Sequence, residues 1–242
     1  MATSPFRDKV LLESEIRTFI NKYKAIVINQ SDRISDYFEM SCFNLIVRFY
    51  ENEGYTVTVE NLNGEHYRYK CSPSGIQSNF SYFKVTKLVD EVLHEFEIHH
   101  NLNVESSHSN EIFTTPDISI VKANSIKEST EYYTSKKRFT YVENAVMISF
   151  CEVKNFNPFP ELILNFTGIV NELRKEIINK DGIVFETKHI APSLMVSGKG
   201  NKQTNKIKEE LEKRYNLNII YELFYSGISV FSKANYLELA YK

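Results

Sequence analysis

The chain has 242 residues, 29 Lys and Arg against 31 Asp and Glu, and a formal net charge of -2. At 42% hydrophobic and 25% charged, it has the apolar content for a proper core, and its eight Gly and six Pro exclude collagen-like and Gly/Pro-rich chains. The near-neutral charge excludes binding of nucleic acid by bulk charge and leaves room for a local basic groove.

Residues 9–25 carry Val10, Leu11, Ile16, Phe19, Ile20 and Tyr23 at helical spacing. The N-terminal 19 residues hold Asp8, Glu13 and Glu15 where a signal peptide needs its apolar run, so a cytoplasmic protein is expected. A second helix is expected over 34–53, with Phe38, Leu45, Ile46, Phe49 and Tyr50 on its apolar face and Gly54 as its C-terminal stop. Thr56 to Val59 alternate as a strand. Asn63-Gly64 and Ser72-Pro73-Ser74-Gly75 predict loops and a short hairpin over 61–79, and 84–91 reads as a short helix.

From 96 to 104 the pattern has period 2. Phe96, Ile98, His100, Leu102 and Val104 share one face, and the polar Glu97, His99, Asn101 and Asn103 share the other. Residues 117–121 predict a strand, 123–140 a polar loop, and 145–154 (AVMISFCEVK) the strongest strand. Pro160 suits a helix start, and Leu162, Ile163, Phe166, Ile169, Val170, Leu173 and Ile177 carry that helix to about 178. A strand over 191–196, an amphipathic helix over 204–215 and a last strand over 218–224 complete an α/β reading. No apolar run approaches the roughly 18 residues of a membrane span. Cys42, Cys71 and Cys151 are odd in number and far apart, which argues against disulfides and a thiolate zinc site.

The chemistry-bearing feature is Pro116-Asp117 followed by Glu152-Val153-Lys154. Strand alternation puts Glu152 and Lys154 on one face, with Cys151 and Val153 free to enter the core. Burying a carboxylate beside an ammonium is a poor way to gain stability, because desolvation offsets their attraction. If the strands of Asp117 and Glu152 pair, both carboxylates reach one hard cation, with the Val153 carbonyl between them. Lys154 is then placed to orient or deprotonate a water, or to stabilise charge on a phosphate. The competing reading is an exposed ion pair on an edge strand, with Asp117 capping a turn.

These residues resemble the PD-(D/E)XK nuclease superfamily, the fold of many restriction endonucleases, over roughly residues 34 to 224. The resemblance implies a restriction-endonuclease-like core, a central mixed sheet flanked by helices, occupying 34–242 behind an N-terminal helical extension over 1–33. It also implies magnesium-dependent phosphodiester hydrolysis, with manganese as a substitute. By position, Asp117 and Glu152 correspond to metal ligands and Lys154 to the catalytic lysine. Glu39 is the best match for a helix-borne carboxylate, although Asp36, Glu51 and Glu53 share its helix.

Two basic clusters are candidate phosphate contacts. Lys136, Lys137 and Arg138 lie between the two halves of the motif, and Lys199 and Lys202 lie in or beside a Gly-containing loop that is not a P-loop. A solvated helix face is the alternative for the second cluster, because Glu209, Glu210 and Glu212 follow it. The expectation is a DNA endonuclease of defence, restriction or repair, working alone, as a homodimer or with a partner protein, and not on a membrane. RNA as substrate is not separated from DNA. The rival is a non-catalytic nucleic-acid-binding or scaffold subunit that keeps the fold.

Overall fold

The computed structural model describes residues 14, 17, 25–26, 34–178 and 185–223. The expected helix over 9–25 lies almost wholly outside them, as do Phe224 and the segment beyond it. The described chain is α/β, built on a seven-stranded mixed sheet. In chain order its strands are β2 (Thr56–Glu60), β4 (Tyr82–Val89), β5 (Val92–His100), β8 (Ile118–Lys122), β11 (Met147–Lys154), β12 (Ser193–Val196) and β13 (Asn218–Ile220). Across the sheet they run β13-β12-β11-β8-β5-β4-β2. The β11-β12 and β12-β13 pairs are parallel and the remaining four are antiparallel. Short strands β6 (Asn103–Glu105), β7 (Phe113–Thr114), β9 (Lys127–Ser129) and β10 (Phe139–Val142) form a second sheet in the order β7-β6-β10-β9. The two-residue strands β1 (Ala25–Ile26) and β3 (Tyr67–Arg68) pair with each other.

Helix α1 (Ile34–Asn52) is buried nearly all round, from Phe38, Met40, Cys42 and Phe43 to Phe49 and Tyr50. It packs on the sheet face formed by Ile98, Ile118, Ile120, Cys151, Val153 and Met195. A helix buried on nearly every side is a core element rather than a surface cover, and it carries the polar Asp36, Ser41 and Asn44 inside as well. Its end follows from Gly54, which adopts φ +81°. The Gly54 N–H donates to the Glu51 carbonyl and the Tyr55 N–H to that of Tyr50, which satisfies two carbonyls the helix leaves open. The Tyr50 and Tyr55 rings meet edge to face at 4.9 Å and seal the turn.

Helices α2 (Pro160–Arg174) and α3 (Lys202–Arg214) supply the crossovers that the parallel strands require. Ile163, Phe166, Val170, Leu173 and Leu211 cover the opposite sheet face, against Phe150, Leu194, Val196 and Ile219. The sheet is therefore a filling between helices. Both faces of β11 are buried, and a register shift between Met147 and Ser149 lets Ile148, Cys151 and Val153 share the α1 side. No described helix is long and apolar enough to cross a membrane.

Five local expectations are corrected. Residues 84–91 are not a helix but most of β4 and the turn of a β4-β5 hairpin, in which Asp90 (φ +47°) and Glu91 (φ +68°) form a two-residue connection. The strand expected over 96–104 breaks at Asn101, which adopts φ +48°. The loop over 123–140 contains β9 and the start of β10. Helix α2 ends at Arg174 and tightens into a 3-10 turn over Lys175–Ile177. Helix α3 begins at Lys202 because Asn201 caps it, with Asn201 Oδ1 accepting from the Thr204 N–H and the Asn201 N–H donating to Thr204 Oγ1.

Candidate active site

Strands β8 and β11 pair antiparallel, with Cys151 opposite Ile118. Asp117 therefore precedes the start of β8, next to the end of β11 that carries Glu152 and Lys154. Lys154 Nζ donates to Glu152 Oε2 at 2.9 Å and to Asp117 Oδ2 at 3.0 Å. Both acceptors touch one nitrogen, so they lie at most about 6 Å apart, close enough for modest side-chain rotation to aim both at one cation. Asp117 Oδ2 also accepts the Val153 N–H at 2.6 Å. Asp117 is thus fixed by the backbone between the two charged residues of the motif, a role its position in the sequence did not show.

The cluster is partly withdrawn from water. The Glu152 side chain is 10% exposed, Asp117 15% and Lys154 29%. Burial and the Asp117 charge push the Glu152 carboxyl up, against the opposing pull of Lys154. Burial pulls the Lys154 ammonium down, but the Glu152 and Asp117 carboxylates outweigh it and hold the group above the ordinary lysine range. A lysine so held stays charged at neutral pH, which favours an electrostatic role over proton removal from water. Glu39, half-buried on α1, is pushed up to about 8 by burial and by the charges of Asp117, Asp36 and Glu152, with Lys154 opposing. Glu39 therefore faces the same charge cluster across the α1 side.

The metal reading meets a limit here. Among the described residues, no group of three or more His, Cys, Asp or Glu side chains is arranged to hold a metal ion. Glu39 is accordingly not drawn into one chelating group with Asp117 and Glu152. The donors that the structure brings together are the two carboxylates of Asp117 and Glu152; the Val153 carbonyl is the further donor the motif implies. That set fits magnesium, which typically takes one or two carboxylates and completes its shell with water and substrate phosphate oxygens.

The surrounding loops are occupied with holding the fold. Asn155 Oδ1 accepts from Ser197 Oγ at 2.8 Å, and Asn157 Oδ1 accepts the Lys199 N–H at 3.1 Å. The Lys199 amide is thus committed to Asn157 rather than open to a phosphate. Its side chain and that of Lys202 remain exposed, whereas Lys208 lies over the Tyr221 ring and 4.0 Å from Glu212. In the other cluster Lys136 and Lys137 are exposed, and Arg138 donates from Nε and Nη2 to the Glu128 carboxylate. His99, on the polar face of the strand, is 1% exposed, bonded to Glu97 at 2.9 Å and stacked on Tyr82 at 4.7 Å.

Compared with protein-family models, curated proteins and solved structures, the chain matches none of them.

Proposed function

We propose that the chain is a metal-dependent nuclease of restriction-endonuclease-like fold that hydrolyses phosphodiester bonds in DNA. The observation that carries this reading is the Lys154 ammonium bridging Asp117 and Glu152 at the joined ends of β8 and β11. A helix-covered mixed sheet with a carboxylate pair and a lysine at adjacent strand ends is what the PD-(D/E)XK resemblance implies. Asp117, Glu152 and the Val153 carbonyl would hold magnesium, or manganese in its place. The ion would polarise the phosphate and lower the pKa of a water. The chain's own contribution is positional and electrostatic. Asp117 is oriented by the Val153 N–H, and the charged Lys154 faces the position where negative charge grows on the phosphate. A role in restriction, repair or defence follows from the resemblance, as does a homodimer or a complex with a partner protein.

The test is supercoiled plasmid incubated with magnesium, with manganese or with a chelator, using the parent chain, Lys154→Ala and Asp117→Asn. The parent is expected to nick or linearise the plasmid only with metal, and neither variant is expected to cut. Absence of cleavage by the parent with either metal, or cleavage by the variants at the parent's rate, overturns the reading. Binding without cleavage would support the non-catalytic subunit instead.

A further inference from the structure

Between the second sheet and the 73–75 turn lies a cleft of about 370 Å³, walled by Tyr133, Lys137, Arg138, Phe139, Thr140 and Asn103. Its aromatic wall is unusual for a loop. Tyr132 stacks on Phe139 at 4.1 Å and 12°, and Tyr133 meets Tyr132 at 5.0 Å and Phe139 at 5.8 Å, both edge to face. Phe113 and Tyr141 extend the group behind Phe139. Phe139 is buried, yet Tyr132 and Tyr133 remain 46% and 45% exposed. Two tyrosines are thus braced from behind while much of their surface stays open to solvent.

Charge is placed on the same rim. Lys136 adopts φ +50° in a turn closed by its N–H donating to the Tyr133 carbonyl, and the turn brings Lys136 and Lys137 beside the exposed rings. Neither lysine has an ion pair among the described residues. Arg138, by contrast, is neutralised by Glu128 and serves as wall.

One wall of the cleft is hydrogen-bonded to the segment that leads to Asp117. Asn103 donates from Nδ2 to the Thr140 carbonyl at 2.8 Å and accepts from Thr115 Oγ1 at 2.7 Å. Thr115 is two residues before Asp117, a step of about 7 Å along an extended chain.

We infer that this cleft binds a single-stranded segment of nucleic acid, with an unpaired base stacked on Tyr133 and the adjoining phosphates on Lys136 and Lys137. The inference rests on the nuclease reading and names its substrate form. The volume suits one or two bases and is far too small for a duplex, whose paired bases show their faces only to one another. Braced aromatic faces beside unpaired lysines are the two parts that single-strand binders combine.

The test is fluorescence anisotropy on the full chain in chelator, with a labelled oligothymidylate of about 12 nucleotides and a duplex of equal length, across a salt series. The single strand is expected to bind about tenfold tighter than the duplex. Tyr133→Ala should weaken single-strand binding about tenfold, while Tyr133→Phe stays within about twofold of the parent. Lys137→Glu should weaken it similarly and flatten its salt dependence. Lys137 is exposed, so Lys137→Glu should leave the melting temperature unchanged, whereas Tyr133→Ala loses its ring contacts with Tyr132 and Phe139 and should lower it slightly without unfolding the chain at the assay temperature. Equal affinity for duplex and single strand, or unchanged single-strand binding by Tyr133→Ala and Lys137→Glu, overturns the inference. A chain that binds single strands through Tyr133 but never cuts with metal refutes the nuclease reading alone. One that cuts while its single-strand affinity ignores both variants refutes the cleft alone.

Discussion

Glu39 offers the sharpest test of the charge cluster, because its effect can be read without substrate or metal. Its carboxyl is raised from 4.5 to about 8, chiefly by burial and then by the Asp117 and Asp36 charges. For a carboxyl raised on folding, the folded state holds its proton longer than the unfolded state. The associated stability is fully present below pH 4.5 and is lost as pH rises through about 8. At about 1.4 kcal/mol per pH unit the ceiling on that loss is ~5 kcal/mol. Glu39 is only half-buried, and solvent screening reduces the expected loss to about 2 kcal/mol. Glu39→Gln keeps the shape and cannot ionise. In chelator, the variant should match the parent near pH 5 and exceed it by about 2 kcal/mol near pH 9. Urea unfolding of both chains at the two pH values measures the difference, and groups common to both chains cancel. A stability gap that is the same at pH 5 and pH 9 would refute the proposed placement of Glu39 beside Asp117.

The other expectations concern Asp117, two buried histidines and one glycine. Asp117→Asn should keep the acceptor for the Val153 N–H and hold its stability, whereas Asp117→Ala leaves that amide unpaired and should cost about 1–3 kcal/mol; equal unfolding midpoints for the two variants would count against this role. His100 and His189 are held neutral by burial, at about 4 and about 3, so stability is full above pH 6.5 and falls as pH drops toward 4. The raised carboxyls of Glu39 and Glu152 act in the opposite direction over this range, so the histidine effect is read by difference. Relative to the parent, His189→Gln should lose less stability between pH 7 and pH 4.5, by up to about 1.4 kcal/mol per pH unit, in urea unfolding at the two pH values. Gly198→Ala would set a Cβ 2.5 Å from the Asn157 Cα, so the backbone must move, and a loss of about 1–3 kcal/mol is expected by denaturant titration.

The sequence was most legible where one residue type has one local meaning. Pro160 opens α2, Gly54 closes α1, and alternation through residues 149–154 puts Glu152 and Lys154 on one side. That alternation with Pro116-Asp117 was enough to mark Lys154 and the two carboxylates, Asp117 and Glu152, that its Nζ joins. It failed where the cause is distant. Asp90-Glu91 makes a left-handed turn without the glycine that would announce it, so β4 looked helical. The burial of Glu97 and His99 was not legible, because alternation marks a polar face but cannot say what lies above it. Gln77, Tyr82 and the Asn124 N–H come from far along the chain to cover them. The aromatic cleft was missed for a similar reason: Phe113, Tyr132 and Phe139 are brought together only by the second sheet. The capping box from Asn201 to Thr204 was visible in principle, because Asn at that spacing from Thr is a local signal.

Lys154 offsets only part of the repulsion among the carboxylates, and the backbone holds the rest of the cluster in place. Asp117 is held twice. Its side chain takes the Val153 N–H, and its carbonyl accepts the N–H of Asn101 at 3.1 Å. Asn101 is itself fixed, because its carbonyl accepts from Lys70 Nζ at 2.7 Å and its Nδ2 donates to the Lys70 carbonyl at 2.9 Å. Lys70 is 1% exposed, and burial alone draws its ammonium down to about 8. Its remaining described partner, Gln77 Oε1 at 2.9 Å, is neutral. A buried lysine that faces neutral acceptors is costly, and an apolar side chain at that place would serve stability better. What Lys70 does supply is a rigid anchor for the residue that positions Asp117. Burial and the Asp117 charge raise the carboxyls of Glu39 and Glu152, and these hydrogen bonds oppose any shift of Asp117 that would relieve them. Under the proposed function, that is the condition the site needs: carboxylates kept close in the free protein, at a cost carried by the fold, so that a divalent cation meets its ligands already gathered.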